Sequence, residues 1–150
     1  MTLVVLLDSS PLSLIAHPLV TPDAEECRRW SRELTKKQAR IVIPEITDYE
    51  VRRELLRAGK AAGVGRLNQL QSVFFYEPIS TDAMRIGAEF WAELRGRGQA
   101  TAGDRNIDCD VILAAQAELI LRQGYEVVVA TTNTKHLSRL VPADHWLNIT

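Results

Sequence analysis

Two stretches of the chain are apolar without interruption and short enough to be strands. Leu3-Val4-Val5-Leu6-Leu7 runs directly into Asp8, and Glu126-Val127-Val128-Val129-Ala130-Thr131 runs into Thr132-Asn133-Thr134. A run that is apolar on both faces of a pleat belongs in the middle of a parallel sheet. Around these two runs the apolar spacing changes to the helical period. Leu12 to Ala16 predicts one or two helical turns within a connector over 10–18. Thr21-Pro22-Asp23 opens a longer helix with a hydroxyl N-cap, a proline at the first helical position and acids for the dipole, and Cys27, Trp30 and Leu34 share one face. Ile41-Val42-Ile43 is a short strand stopped by Pro44, and a helix follows over 45–58 to Gly59. Gly63 and Gly65 are expected to mark a loop, and Leu67, Leu70 and Val73-Phe74 a helix that passes into an extended Phe74-Phe75-Tyr76. Ser80-Thr81-Asp82 caps the next helix, which carries Met84, Gly87, Phe90-Trp91 and Leu94 and ends at Gly96-Arg97-Gly98. Residues 99–108 are polar without period and predict a loop. Residues 110–122 are apolar nearly all round, as in a buried helix, and Gly124 stops them. A short helix over 136–140 and a last strand over 146–149 complete the pattern.

Strands alternating with helices predict an α/β domain built on a central, mostly parallel sheet. The 150 residues suit one domain over 1–150 with a substantial core. A formal net charge of -1 gives no global field for nucleic acid or an anionic membrane, so any nucleic-acid contact must be a local patch. No run approaches the roughly 20 apolar residues of a membrane span. The N-terminus lacks the basic region of a signal peptide, and Cys27 and Cys109, far apart in sequence, read as reduced, buried thiols of a cytoplasmic protein.

A parallel sheet presents its ligand site outside the carboxyl ends of its strands. Asp8 and the Thr131–Asn133 turn stand at such ends. Acids also cluster at two helix starts: Glu50 in the 44–50 stretch, and Asp104, Asp108 and Asp110 before the buried helix. Each has a purely structural alternative. Asp8 can cap a turn, Thr47-x-x-Glu50 matches a capping box, Asp108 can be an N-cap, Asp110 can complement the helix dipole, and Asn133 can be a turn residue. The functional alternative brings Asp8, Glu50 and Asp110 to one point, with Asn133 or Asp108 beside them. Carboxylates sharing one pocket raise each other's pKa values, and a hard cation such as Mg²⁺ or Mn²⁺ resolves the conflict. Such an ion activates water and stabilises a phosphate in transit. The absence of a His/Cys cluster argues against zinc.

These motifs, taken together, resemble the PIN domain, and more narrowly the VapC-like ribonuclease toxins of toxin–antitoxin pairs. Leu6-Leu7-Asp8-Ser9-Ser10 is similar to the family's first strand and first aspartate, with Ser10 at the hydroxyl position beside the metal. Pro44-Glu45-Ile46 leading to Tyr49-Glu50-Val51-Arg52-Arg53-Glu54-Leu55 resembles the second motif, with its glutamate at Glu50. Asp110-Val111-Ile112-Leu113-Ala114-Ala115-Gln116-Ala117 resembles the third, and Val129-Ala130-Thr131-Thr132-Asn133 the Thr-x-Asn motif. The resemblance covers nearly the whole chain. It implies a three-layer sandwich with helices on both faces of the sheet, a Mg²⁺- or Mn²⁺-dependent cleft, endonucleolytic hydrolysis of RNA, a homodimer and a cognate antitoxin that blocks the site. In it Asp8, Glu50 and Asp110 hold the metal, and Thr131, Asn133 and Ser10 orient water or phosphate. Where many members carry a fourth acid this chain has Asn133, with His136 three residues on. Asp108 stands in for the missing charge, and the second metal is what this departure puts in question. Arg52, Arg53 and Arg105 are candidate contacts to the RNA backbone. Two other classes fit the first aspartate: a haloacid-dehalogenase-type phosphatase or receiver domain, for which Lys135 is the available lysine, and a PIN-like scaffold that only binds a partner.

Overall fold

A computed structural model describes residues 2–97 and 107–150. The two uninterrupted apolar runs form β1 (Leu3–Leu7) and β4 (Glu126–Thr131), which pair in parallel from Leu3 opposite Glu126 to Leu7 opposite Ala130. On the other side of β1 lies β2 (Arg40–Pro44) and beyond it β3 (Phe75–Glu77), while β5 (Ala143–His145) pairs with the outer edge of β4. All pairings are parallel, in the order β3-β2-β1-β4-β5. The chain builds outward from β1 in one direction and returns to build outward in the other, so β1 and β4 meet at a topological switch point.

The helices are α1 (Ser9–Ile15), α2 (Pro22–Lys36), α3 (Glu45–Arg57), α4 (Ala61–Leu70), α5 (Thr81–Gly96), α6 (Ile107–Arg122) and α7 (Thr134–Leu137). Alternation along β1 divides the core into two. Val5 and Leu7 pack with Leu12, Cys27, Trp30, Leu34, Ile43, Val51 and Leu67 under α1, α2, α3 and α4, whereas Val4 and Leu6 pack with Val42, Leu113, Ala117, Val129 and Leu137 under α6 and α7. This is the expected three-layer sandwich. Helix α5 is a further shell on α6, joined through Ala83, Ile86 and Ala115.

The helix starts follow their local chemistry. Thr21 Oγ1 accepts the Ala24 N–H at 3.2 Å, and Ser80 Oγ accepts that of Ala83 at 3.1 Å. Gly59 and Gly124 take φ of +68° and +95° just beyond α3 and α6, the left-handed backbone that glycine adopts freely.

Four local expectations are corrected. Gly63 and Gly65 lie inside α4 rather than in a loop, because α4 presses on α3: a Cβ at Gly63 would meet Leu55 Cδ2 at 2.8 Å. The last strand is three residues earlier than expected. Trp146 leaves the sheet in a 3-10 turn and packs edge-on against Trp30, whose Nε1–H donates to the Ile149 carbonyl at 2.8 Å. The short helix after β4 opens at Thr134, not His136. Helix α6 opens at Ile107, so Asp108 lies in its first turn and is not its N-cap. The rest of the expected loop over 99–108, with Asp104 and Arg105, lies outside the described residues. Both cysteines are free and buried. Among the described residues no helix is long and apolar enough to cross a membrane.

Candidate active site at the β1–β4 switch point

Asp8 follows β1 without an intervening residue, and its own N–H donates to the Ala130 carbonyl at 2.9 Å, which continues the sheet pairing one residue further. The side chain is thereby held over the seam between β1 and β4. Its Oδ1 accepts the Ser9 N–H at 2.7 Å, the cap of α1, and its Oδ2 accepts the Thr131 hydroxyl at 2.7 Å. Thr131 is fully buried, and its Oγ1 in turn accepts the Asn133 N–H at 2.8 Å. The turn after β4 therefore orients Asp8 through one hydroxyl. The capping alternative for Asp8 is correct as far as it goes, yet a cap alone does not require a carboxylate that is 7 % exposed. Burial pushes the Asp8 carboxyl above its ordinary pKa, and the hydrogen bonds from Thr131 and Ser9 pull it back in part.

Glu50 comes from the second turn of α3. Its pKa is also raised, first by burial and then by the negative charge of Asp8; the Ser9 hydroxyl, Arg53 and the Cys109 thiol oppose the rise. Two carboxylates from distant parts of the sequence thus share one partly dry pocket. The capping-box alternative for Glu50 fails: α3 begins at Glu45 after an N-cap at Pro44, so Thr47 and Glu50 are both interior, and Thr47 Oγ1 is buried without a hydrogen-bond partner. The hydroxyl that reaches Glu50 belongs to Ser9, whereas Ser10, the neighbouring hydroxyl singled out in the sequence, is half-buried in α1.

Asp110 is half-buried in the first turn of α6, immediately after Cys109, whose thiol is pushed up to about 11 by burial and then by Glu50, with Asp110 and Asp108 adding to the rise. Asp108 is exposed and lines a groove of about 360 Å³ between α5 and α6, with Met84, Trp91, Val111 and Ile112. Asn133 is exposed and enters the site through its backbone; its side chain makes no cap to α7. Among the described residues no three His, Cys, Asp or Glu side chains are gathered closely enough to hold an ion as they stand. The assembled core is the Asp8–Glu50 pair, with Asp110 on the neighbouring helix.

The two arginines of the second motif do different things. Arg52 donates to Asp48 at 2.9 and 3.2 Å and to Asn68 at 2.8 Å, and Gln71 completes the shell around Asp48 at 3.3 Å. It clamps α3 to α4. Arg53 lies 4.0 Å from Glu50 and over the exposed ring of Tyr49. Asp48, 5 % exposed, was not singled out in the sequence; its i,i+4 spacing to Arg52 is the signal that points to the clamp.

The donor set is hard oxygen: two carboxylates raised by burial, a third acid nearby, and hydroxyls from Ser9 and Thr131. That chemistry suits Mg²⁺ or Mn²⁺.

The family model for the PIN domain matches residues 5–140. No curated protein matches the sequence significantly. Among solved structures, VapBC2 from Rickettsia felis bound to a DNA fragment from its promoter superposes with a TM-score of 0.70 at 16 % identity, over 95 % of this chain and 98 % of that one. FitAcB from Neisseria gonorrhoeae gives 0.70 at 18 % identity over 97 % and 99 %. DNA-bound VapBC from Salmonella typhimurium gives 0.66 at 20 % identity over 97 % and 99 %.

Proposed function

The chain belongs to the PIN-domain family, and from that premise we propose that it is a divalent-metal-dependent endoribonuclease, the toxin of a toxin–antitoxin pair. The observation that carries this reading is the pairing of buried Asp8 with half-buried Glu50 at the switch point, with Thr131 and Ser9 as their hydroxyl partners. A pair in which burial raises both carboxyls and the charge of Asp8 raises Glu50 further costs stability unless a cation is its partner, which is the condition of a site kept for chemistry. Asp8, Glu50 and Asp110 would hold the ion, Mg²⁺ or Mn²⁺. When bound, the ion supplies Lewis-acid charge toward a phosphate and makes water a better nucleophile at neutral pH.

The chain's own residues supply the rest. Thr131 fixes the Asp8 carboxylate by donating to one oxygen, which leaves the other to the Ser9 N–H and fixes the plane of the group. Asn133, through its N–H, occupies one lone pair of Thr131 Oγ1 and so helps to direct the hydroxyl proton toward Asp8. Arg53 stands beside Glu50 and would meet the backbone of an RNA strand, and Ser10 and the Asn133 side chain are the remaining candidates to orient water or phosphate. Proteins of the same fold occur as VapBC complexes. On that footing the partners of this chain are a cognate antitoxin and a second copy of itself, in the cytoplasm. The phosphatase and receiver alternatives fall with the family assignment, and Lys135, on which they depended, is exposed on α7. The silent-scaffold alternative is told from the nuclease by metal binding and by the need for charge at Glu50.

Glu50→Gln tests this directly. Gln and Glu have similar helix propensity, and the amide can still meet the Ser9 hydroxyl. The variant is expected to melt at or above the wild-type temperature and to lose RNA cleavage by about a hundredfold or more. Cleavage at the wild-type rate would reduce Glu50 to a structural residue.

A further inference from the structure

Helix α3 starts directly from β2, and its N-cap, Pro44, offers no side chain to the free N–H groups of the first turn. One of these, the Ile46 N–H, donates instead to Gln116 Oε1 at 3.4 Å, from 70 residues further along the chain. The other end of the same amide donates from Nε2 to the carbonyl of Glu77, the last residue of β3, at 2.7 Å. Gln116 is 1 % exposed and lies in α6 between Ala115 and Ala117, so both ends of a primary amide are satisfied by backbone in an otherwise apolar layer. A buried amide with no water to fall back on holds its partners to one geometry. It joins α6, α3 and the end of β3. Glu50 lies four residues beyond Ile46, about one turn, and Asp110 six residues before Gln116, less than two turns.

We propose that Gln116 is a positioning residue that fixes the separation and rotation of α3 against α6, and through them how Glu50 and Asp110 face one another across the ends of β1 and β4. Gln116 touches neither acid, and its role toward the metal rests on the nuclease reading. It is a positional device of the third motif distinct from that motif's acid, since a residue that only filled space here would be apolar like its neighbours.

The test compares Gln116→Met, which keeps the volume and removes both hydrogen bonds, with Ile120→Val, a buried change one turn further along α6 chosen as a matched loss of melting temperature. Mn²⁺ binding is read by titration calorimetry, and amide exchange is read at Ile46 and Glu50. Gln116→Met is expected to bind Mn²⁺ about tenfold more weakly than wild type, with faster exchange at both amides, while Ile120→Val binds as wild type. Equal Mn²⁺ affinity in Gln116→Met and wild type, or an equal loss in the two variants, overturns the proposal. Should Gln116→Met fail to fold, Gln116→Asn, one methylene short of both partners, is held to the same criteria. Absence of Mn²⁺ binding by wild type overturns the nuclease reading and the metal role with it. In that case exchange still decides the bridge: acceleration at Ile46 and Glu50 confined to the Gln116 variant upholds it, and unchanged exchange overturns it.

Discussion

Asp8→Asn is expected to lower RNA cleavage by about three orders of magnitude, roughly 4 kcal/mol of transition-state stabilisation, while the protein folds at least as well as wild type. Asn preserves the shape of the side chain, its Oδ1 still accepts the Ser9 N–H, and its amide can donate to Thr131 Oγ1 in place of the bond that Thr131 gives to Asp8. What it removes is the charge. In the folded protein burial holds the Asp8 carboxyl above its ordinary pKa, and burial followed by the Asp8 charge does the same to Glu50, against the pull of Ser9, Arg53 and Cys109. The folded state therefore binds more protons than the unfolded chain between the ordinary carboxylate pKa and the raised folded values. Stability without metal falls as pH rises through that window. Asp8→Asn removes one of the two groups and lowers the other, so the slope flattens and the neutral-pH melting temperature stays or rises. A variant that is unstable at all pH values, or that cleaves within tenfold of wild type, would show that Asp8 serves the fold.

The second large effect separates the two aspartates at the start of α6. Residues two apart on a helix point to nearly opposite sides. Asp108 is exposed and lines the groove against α5, with Met84 and Trp91, so Asp110 lies on the side of α6 away from that groove. An ion that binds only the folded state stabilises it by about 2.7 kcal/mol at 100 times its dissociation constant. For a chain of this size that corresponds to a rise of about 5–10 °C. The Mn²⁺-dependent rise is expected in wild type, reduced only in part in Asp108→Asn, and lost in Asp110→Asn. Loss in Asp108→Asn with retention in Asp110→Asn would move the third ligand two residues back.

What was legible in the sequence is what local chemistry enforces. The central strands are long apolar runs that fit no other place in a parallel sheet, and the helix caps at Thr21 and Ser80 act within three residues of themselves. Trp146 and Ile149 look like strand residues in the sequence but are drawn to Trp30, 119 positions from the carbonyl it binds, so the last strand ends before them. Gly63 looks like a loop glycine in the sequence because its reason lies in Leu55, on the neighbouring helix α3. The same limit applies at the site. Asp8 is visible as an acid at a strand end and Glu50 as an acid near a helix start, but that Thr131 donates to Asp8, that Ser9 rather than Ser10 reaches Glu50, and that Arg52 pairs with Asp48 are facts of packing. Gln116 did leave a trace, a lone polar residue in Ala114-Ala115-Gln116-Ala117, although its two partners could not be named from the sequence.

The most direct measurement is cleavage of a structured RNA by the purified chain, free of antitoxin, as the divalent ion is withdrawn and restored. The expected result is endonucleolytic cutting with Mg²⁺ or Mn²⁺, none in excess chelator, and recovery when Mn²⁺ is added back. Undiminished cutting in excess chelator, or no cutting with either ion by a protein that is folded and binds Mn²⁺, would contradict a metal-dependent ribonuclease built on Asp8 and Glu50.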